Sequence, residues 1–470
     1  MSYGKHKVEH IINKTPHLST DVSGNPVLLG ADGVIIPTLG ANAITVGAGG
    51  MFATLEEAIA YRVATYPHTV VAPNTITVTG TVSGTVAKHQ FTLGTAIAGY
   101  SANDAMYGIR IGGATAPIIP CRMRTNTIGY LEYPFPADFT DTACEVMRPV
   151  RSNVVLLPGT HLNISTDVLL PDYTTFCALI PGTSSIKTYG GAGALVTQIL
   201  TNKTRFTGLL LEDIRHGNLG QMIKLIKSVA DNIFVPLCDI QFDNNELRTG
   251  TNDLIYTTLA GSIGITAFNN KAFGTYDIFR LGTHRKALIH DNEITVKSLV
   301  VIDGEAATGC VFGSAGAASW DYPDQLHVFS GNTVHCYTET NTTADGWATA
   351  TGVSIRGGVN TANSFVVSGN TFDLTTNCET AITGTPYYGY SSIALSVGDV
   401  GESFGAETPQ VVFKDNAVRS RKTGAQAATL PAAVVSSSLF AGVPVLSSGN
   451  TVFGGGSTTA GTNVTAATTY

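Results

Sequence analysis

Three pairs of carboxylates in this chain are spaced for chemistry. Asp303 and Glu305, in Val301-Ile302-Asp303-Gly304-Glu305, lie two residues apart and share one face if the segment is extended. Asp239 and Asp243 sit near a predicted corner of the chain, and Asp321 and Asp324 occupy a predicted loop beside Trp320 and Tyr322. Glycosidic cleavage needs one acid and one base or nucleophile, about 5 Å apart for retention and about 6.5–9.5 Å for inversion. Any of the three pairs can supply them. The alternative for each is a solvated or turn-capping carboxylate, since 34 Asp and Glu are distributed along the chain.

Aromatic residues offer a second kind of site. Trp320, Tyr322, Tyr337 and Trp347 fall within one long repeat, and Tyr387, Tyr388 and Tyr390 follow Pro386 in another. An exposed aromatic ring presents a flat apolar face with a polar edge, suited to stacking on a sugar or to a protein interface. Core packing is the competing account. His216, His284, His290, His327 and His335 show no metal-ligand spacing, and His290 and His335 read as surface or turn residues. No nucleophile elbow, phosphate loop or dinucleotide fingerprint is present. The expectation is no metal and no cofactor.

Composition bounds the remaining possibilities. A net charge of −7 with only 13% charged residues offers no basic footprint for nucleic acid. No apolar run reaches the 18 residues of a membrane span, and the N-terminus lacks the apolar core of a secretory signal. The 7 cysteines (121, 144, 177, 238, 310, 336, 378) are scattered without a Cys-x-x-Cys, so they read as small buried hydrophobes in a reducing compartment.

The elements that must position these residues are strands. Abundant Gly, Thr, Ser, Ala and Val favour a β-rich chain with many tight turns. Val154-Val155-Leu156-Leu157-Pro158-Gly159-Thr160 is echoed by Leu179-Ile180-Pro181-Gly182-Thr183. A stronger repeat is built on an Asn with apolar residues at −5, −3 and +2, as in Ile240, Phe242, Asn245, Leu247. It recurs around Asn270, Asn292, Asn332, Asn370, Asn416 and Asn450, in steps of 25, 22, 40, 38, 46 and 34 residues, the copies at Asn332 and Asn450 being weaker. Residues two apart face the same side of a strand, and Asn tolerates the left-handed backbone of a sharp turn. Stacked coils then let successive Asn amides hydrogen-bond as a ladder. Periods of this length mark a solenoid, with long steps carrying loops at the turns. A β-sandwich is the alternative.

Four regions follow. Residues 1–43 form a virion-attachment or trimerisation segment, in which Val27-Leu28-Leu29 and Val34-Ile35-Ile36 can pair. Residues 44–150 hold a capping helix and a loop-rich β insertion. The helix starts at Thr54 with a capping box to Glu57, carries Leu55, Ala58, Ile59 and Val63 on one apolar face, and ends near Pro67. Residues 151–422 are the solenoid. Residues 423–470, without a single charge, form a last coil and a tail packed on partner chains.

The run Gly49-Gly50-Met51-Phe52-Ala53-Thr54-Leu55-Glu56-Glu57-Ala58-Ile59 resembles the helix that opens the solenoid of pectate-lyase-like phage tailspikes. Val154 to Thr160 resembles the first coil of that solenoid, and the Asn repeats resemble its Asn-bearing turn. The likeness implies an all-β, right-handed parallel β-helix. It also implies a homotrimer on a virion, made in the host cytoplasm, joined to other virion proteins through its N-terminal segment and meeting host-surface polysaccharide with its lateral face. Residues 1–43 are short for a tailspike head-binding domain, which keeps a head fibre, capsid decoration or baseplate spike open. No set of Asp residues with an Arg base matches the calcium site of pectate lyases. The expected role is a binding spike, with a glycan-cleaving hydrolase or lyase and a purely structural decoration protein as alternatives.

Overall fold

A computed structural model describes residues 17–20, 26–29, 35–36, 42–78, 88–102, 106–111, 118–135, 139–188, 194–197, 203–213, 222–225, 239–250, 253–257, 264–281, 286–298, 306–312, 325–340, 349–355, 363–378, 391–397, 410–424, 435–437, 445–453 and 464–466. Three parallel sheets dominate. The first runs from Ala43–Val46 to Val464–Ala466, the second from His161–Ile164 to Thr451–Phe453, and the third from Val168–Leu169 to Val435–Ser437. Each complete coil contributes one strand to each sheet, and each strand pairs with its equivalent one coil away. The chain is a parallel β-helix.

Alternation explains the strands. Ile240, Phe242 and Leu247 are fully buried, as are Ile265 with Ala267 and Ala287 with Ile289 and Ile294. Phe176, Phe206 and Phe242 occupy one register position on successive coils and stack at 5.1 and 5.3 Å. The weak copy at Asn332 places His327 inside, stacked on Phe365 at 4.5 Å. Its imidazole fills the slot that an aliphatic or phenyl side chain fills elsewhere.

All seven predicted Asn residues form one ladder. From Asn245 to Asn416, each Nδ2 donates to the Oδ1 of the next Asn at 2.9–3.1 Å, and each backbone N–H donates to that same oxygen. Every Nδ2 also reaches a backbone carbonyl, the last being Asn450 to Phe413. One expectation is corrected. The left-handed residue is the one before the ladder Asn: Asn244, Asn269, Asp291, Gly331, Gly369, Asp415 and Gly449, all with φ of 54–66°. The preceding residue reverses the chain, which frees the Asn side chain to point inward and bond along the axis.

The helix, α1 (Leu55–Thr65), has the expected capping box: Glu57 N–H donates to Thr54 Oγ1 at 3.2 Å, and Thr54 N–H to Glu57 Oε2 at 3.3 Å. Leu55 and Ala58 are buried, but Val63 is 55% exposed and Arg62 is buried in its place. Arg62 donates from Nε to Ser152 and Thr174 hydroxyls, from Nη1 to the Tyr66 carbonyl, and from Nη2 to the carbonyls of Val150 and Asp172. A charged group pins the lid to the first two coils because it can satisfy carbonyls that an aliphatic side chain would leave unpaired.

The solenoid begins earlier than the sequence suggested. Ala43–Val46 pairs with Ser152–Leu156, so α1 and residues 69–148 interrupt the first coil. That interruption is a closed antiparallel barrel of six strands with its own apolar core around Ile76, Phe91, Tyr107 and Val146. Near the N-terminus, Pro26–Leu29 pairs antiparallel with both His17–Thr20 and Ile35–Ile36. Within the neutral C-terminal region, Val435–Ser437, Val445–Ser448, Thr451–Phe453 and Val464–Ala466 extend the three sheets.

Candidate functional site

The Asn ladder fixes which residues face outward. On the second sheet, the residues three places after each Asn align in one column: Arg248, Phe273, Thr295, His335, Asp373, Arg419 and Phe453. Five places after, Lys297, Tyr337, Thr375 and Arg421 align, and seven places after, Glu339, Asn377 and Thr423. Neighbouring coils are about 4.8 Å apart, so these columns make a continuous polar and aromatic strip over the last coils.

Within the strip the contacts are specific. Arg421 Nη2 donates to Asp373 Oδ1 at 2.6 Å, and His335 Nδ1 lies 3.8 Å from Asp373 Oδ2. Tyr337 donates its hydroxyl to Glu339 Oε2 at 3.1 Å, and Lys297 Nζ lies 5.5 Å from the Tyr337 ring centre, a cation–π contact. Asn377 Nδ2 is 3.5 Å from Glu339 Oε1, and Thr423 donates to Asn377 Oδ1 at 3.0 Å. A depression of about 200 Å³ lies between His335, Asp373, Arg419 and Phe453, with Phe453 48% exposed. Asp373 and Glu339 stand about 14 Å apart at the backbone by strand geometry, with the column of Tyr337 and Arg421 between them.

The outer face of the first sheet differs. On the first sheet, Leu288, Val328, Val366, Val412 and Leu446 point outward in one register column, each four residues before its ladder Asn. Leu446 is 50% exposed, and Leu326 beside the column 41%. Flanking positions are mostly uncharged: Ser330, Ser364, Ser368, Gln410 and Ser448, against Lys286 and Lys414.

The predicted chemistry divides accordingly. Tyr337 lies in the strip. Asp239 and Asp243 point outward from one strand but are four residues apart, about 13 Å at the backbone, and each is occupied. Asp239 takes Lys203 at 2.6 Å. Asp243 is fully buried and accepts from Arg205 through both oxygens, 2.6 and 2.7 Å, and from Thr207, Gln241 and Asn244. Burial pushes its carboxyl up, but the hydrogen bonds from Arg205, Thr207 and Gln241 outweigh that and hold it below the usual range. Its bonds are structural. Asp303, Glu305, Asp321 and Asp324, with Trp320, Tyr322, Trp347, Tyr387, Tyr388 and Tyr390, lie outside the described residues. His290 stacks on Phe268 at 5.2 Å, on the outer face. Among the described residues no group of three His, Cys, Asp or Glu side chains is placed to hold a metal.

Sequence reading placed His335 at the surface without giving it a role, and missed Glu339, Asp373, Arg419, Arg421 and Phe453. The signal that finds them is the Asn ladder itself, used as an index.

A larger concavity of about 430 Å³ lies where α1, the barrel and the first coil meet, with Ile59, Val63, His68, Arg110, Met147 and Leu169 among its walls. It is largely apolar, and its buried cation, Arg62, is already fully engaged.

No protein-family model matches this sequence, and neither does any curated protein. Among solved structures, the chain is similar to the catalytic domain of GH87 alpha-1,3-glucanase in complex with nigerose, at 9% identity and a TM-score of 0.28, covering 85% of this chain and 89% of that one. It is also similar to the catalytic unit of the thermostable GH87 alpha-1,3-glucanase from Streptomyces thermodiastaticus strain HF3-3, at 10% identity and a TM-score of 0.23, covering 85% and 88%. Likeness at this level carries no argument about chemistry.

Proposed function

We propose that this chain is a virion spike of the tailspike kind, a homotrimer that binds host-surface polysaccharide through the outer face of its second sheet. The observation that carries the reading is the unlike character of the outer faces of the first and second sheets. The strip of Lys297, His335, Tyr337, Glu339, Asp373 and Arg421 presents aromatic and charged groups in register, suited to the hydroxyls and ring faces of a sugar chain. The column of Leu288, Val328, Val366, Val412 and Leu446 presents apolar groups parallel to the solenoid axis, a form that three copies side by side can bury together. Attachment to the particle falls to the N-terminal segment, as the tailspike resemblance implies.

The purified chain should sediment as a trimer, and Val366→Arg, which puts a charge in the middle of the apolar column, should yield monomers. Tyr337→Ala should weaken binding to host polysaccharide while leaving the trimer intact. A monomeric wild type, or a trimer that binds no polysaccharide, would overturn the respective half of the reading. A second reading rests on Asp373 and Glu339, the two carboxylates that flank Tyr337 and Arg421: cleavage of the bound chain. New reducing ends, abolished in both Asp373→Asn and Glu339→Gln, would establish cleavage in place of binding alone.

A further inference from the structure

We infer that the glycan taken by the strip is acidic, with a sugar carboxylate seated on Arg419; this rests on the binding reading above. Asp373 stands directly opposite Arg419 in the ladder and is the obvious partner. Its two oxygens instead go to Arg421 and toward His335. Among the described residues Arg419 forms no ion pair, although it is exposed at the edge of the depression that it shares with His335 and Phe453. Arg248, on an earlier coil, pairs with Glu246. From the coil of Asn292 onward, Asp373 and Glu339 are the carboxylates of these columns and Lys297, Arg419 and Arg421 the cations, one more than the carboxylates.

The chemistry of the seat matches one class of ligand. A guanidinium recognises a carboxylate through two parallel N–H donors. Phe453, next in the column and 48% exposed, offers an apolar face for the sugar ring that carries the carboxylate. His335, exposed on the other side of Asp373 with its Nδ1 toward that carboxylate, leaves Nε2 for hydroxyls on an adjoining unit. A neutral polysaccharide would find the ring platform but would leave Arg419 without a counter-charge. The class is therefore uronic-acid or other carboxylated sugars.

The test uses the full-length chain and a panel of acidic and neutral bacterial capsular polysaccharides, each acidic one also as its carboxyl-reduced derivative. The expected result is binding to acidic members, a loss of about ten-fold on carboxyl reduction, and a similar loss for Arg419→Ala with the trimer retained. Raising the salt concentration should weaken the acidic complexes. Binding to neutral members, or binding insensitive to both carboxyl reduction and Arg419→Ala, overturns the acidic assignment and leaves the lateral binding face standing. Binding to no member of the panel overturns both.

Discussion

Truncating one rung of the Asn ladder should cost far more than its single side chain suggests. Asn332 is 1% exposed. Its Nδ2 donates to the Ile289 carbonyl at 2.9 Å and to Asn370 Oδ1 at 3.1 Å, and its Oδ1 accepts both the backbone N–H and the Nδ2 of Asn292 at 2.9 Å. Asn332→Ala removes all four bonds. Some groups keep other partners: Asn292 Nδ2 retains the Ala267 and His290 carbonyls, and Asn370 Oδ1 retains the Asn332 N–H. The Asn292 N–H loses the side-chain acceptor it donates to, and the Ile289 carbonyl loses a donor. At about 1–3 kcal/mol for each buried polar group left short, and with a small cavity added, the expected loss is about 3–4 kcal/mol. Thr451→Ala, at an exposed outward position on the last coils, should cost less than about 0.5 kcal/mol. Denaturant unfolding followed by circular dichroism measures the difference, or the unfolding half-life where refolding fails. Because a solenoid unit contacts only its neighbours, hydrogen exchange should accelerate in the coils of Asn292 and Asn332 before distant ones. Asn332→Asp keeps the acceptors but faces Asn370 Oδ1 with an oxygen. Its burial raises the folded-state pKa above the unfolded value of about 4. The defect should therefore be full above the raised folded-state value, shrink as the pH falls through it, and be smallest below about 4. Equal stability of Asn332→Ala and Thr451→Ala, or an Asn332→Asp defect that grows on acidification, would refute the ladder as the source of the stability.

Two further outcomes follow from local geometry. Gly449→Ala places a Cβ 2.2 Å from Asp415 Oδ1 at φ 66°, whereas Gly369 has only the Gly331 nitrogen, 3.9 Å away. Gly449→Ala should cost about 1–2 kcal/mol, and Gly369→Asn, which restores the residue type found at positions 244 and 269, should change the thermal midpoint little. His68 accepts the Val150 N–H at 3.0 Å, and burial, with Arg62 and Arg110 nearby, lowers its pKa from 6.5 to about 4. A depressed folded-state value means stability is present above pH 6.5 and lost as the pH falls toward 4, by up to about 3 kcal/mol. His68→Gln, which can still accept that N–H, should flatten this part of the stability profile; an unchanged slope would exclude His68 as its source.

The sequence made the solenoid legible because inward positions carry their own signature. Ile240, Phe242, Asn245 and Leu247 repeat as types, since each slot in a coil demands an apolar side chain or an amide that can bond along the axis. The barrel at residues 69–148 was not legible, because its closure depends on pairings such as Glu145 with Arg110 and Gln90 with Tyr130 that no local period announces. Val63 was misplaced for a related reason. Helical spacing marks Val63 for the buried face, but the groove under α1 is lined by carbonyls of Tyr66, Val150 and Asp172, and only a donor fits there. The candidate site escaped because its members are far apart in the chain and chemically unlike. Nothing in the types of Tyr337, Asp373 and Arg421 suggests that they meet. Their shared offsets from Asn332, Asn370 and Asn416 do, once the ladder is known to hold one register from coil to coil.

That register also separates binding from assembly. Each turn built on a ladder Asn sends the residue four places before it to the first sheet's outer face and the residues three and five places after it to the second. A single coil thus contributes Val366 to one face and Asp373 to the other, across the short turn at Gly369-Asn370. The residues that lengthen the coils fall between these strand–turn–strand units in the sequence, so their number can change without moving either column. A one-residue insertion between Phe365 and Phe372 is different in kind. It would shift the pleat by one, turn Asp373 inward or Val366 inward depending on its side of Asn370, and bring an apolar residue of that strand to the surface. The unit should therefore tolerate substitution at its outward positions and resist any change in its length, while the long connections beyond it tolerate both.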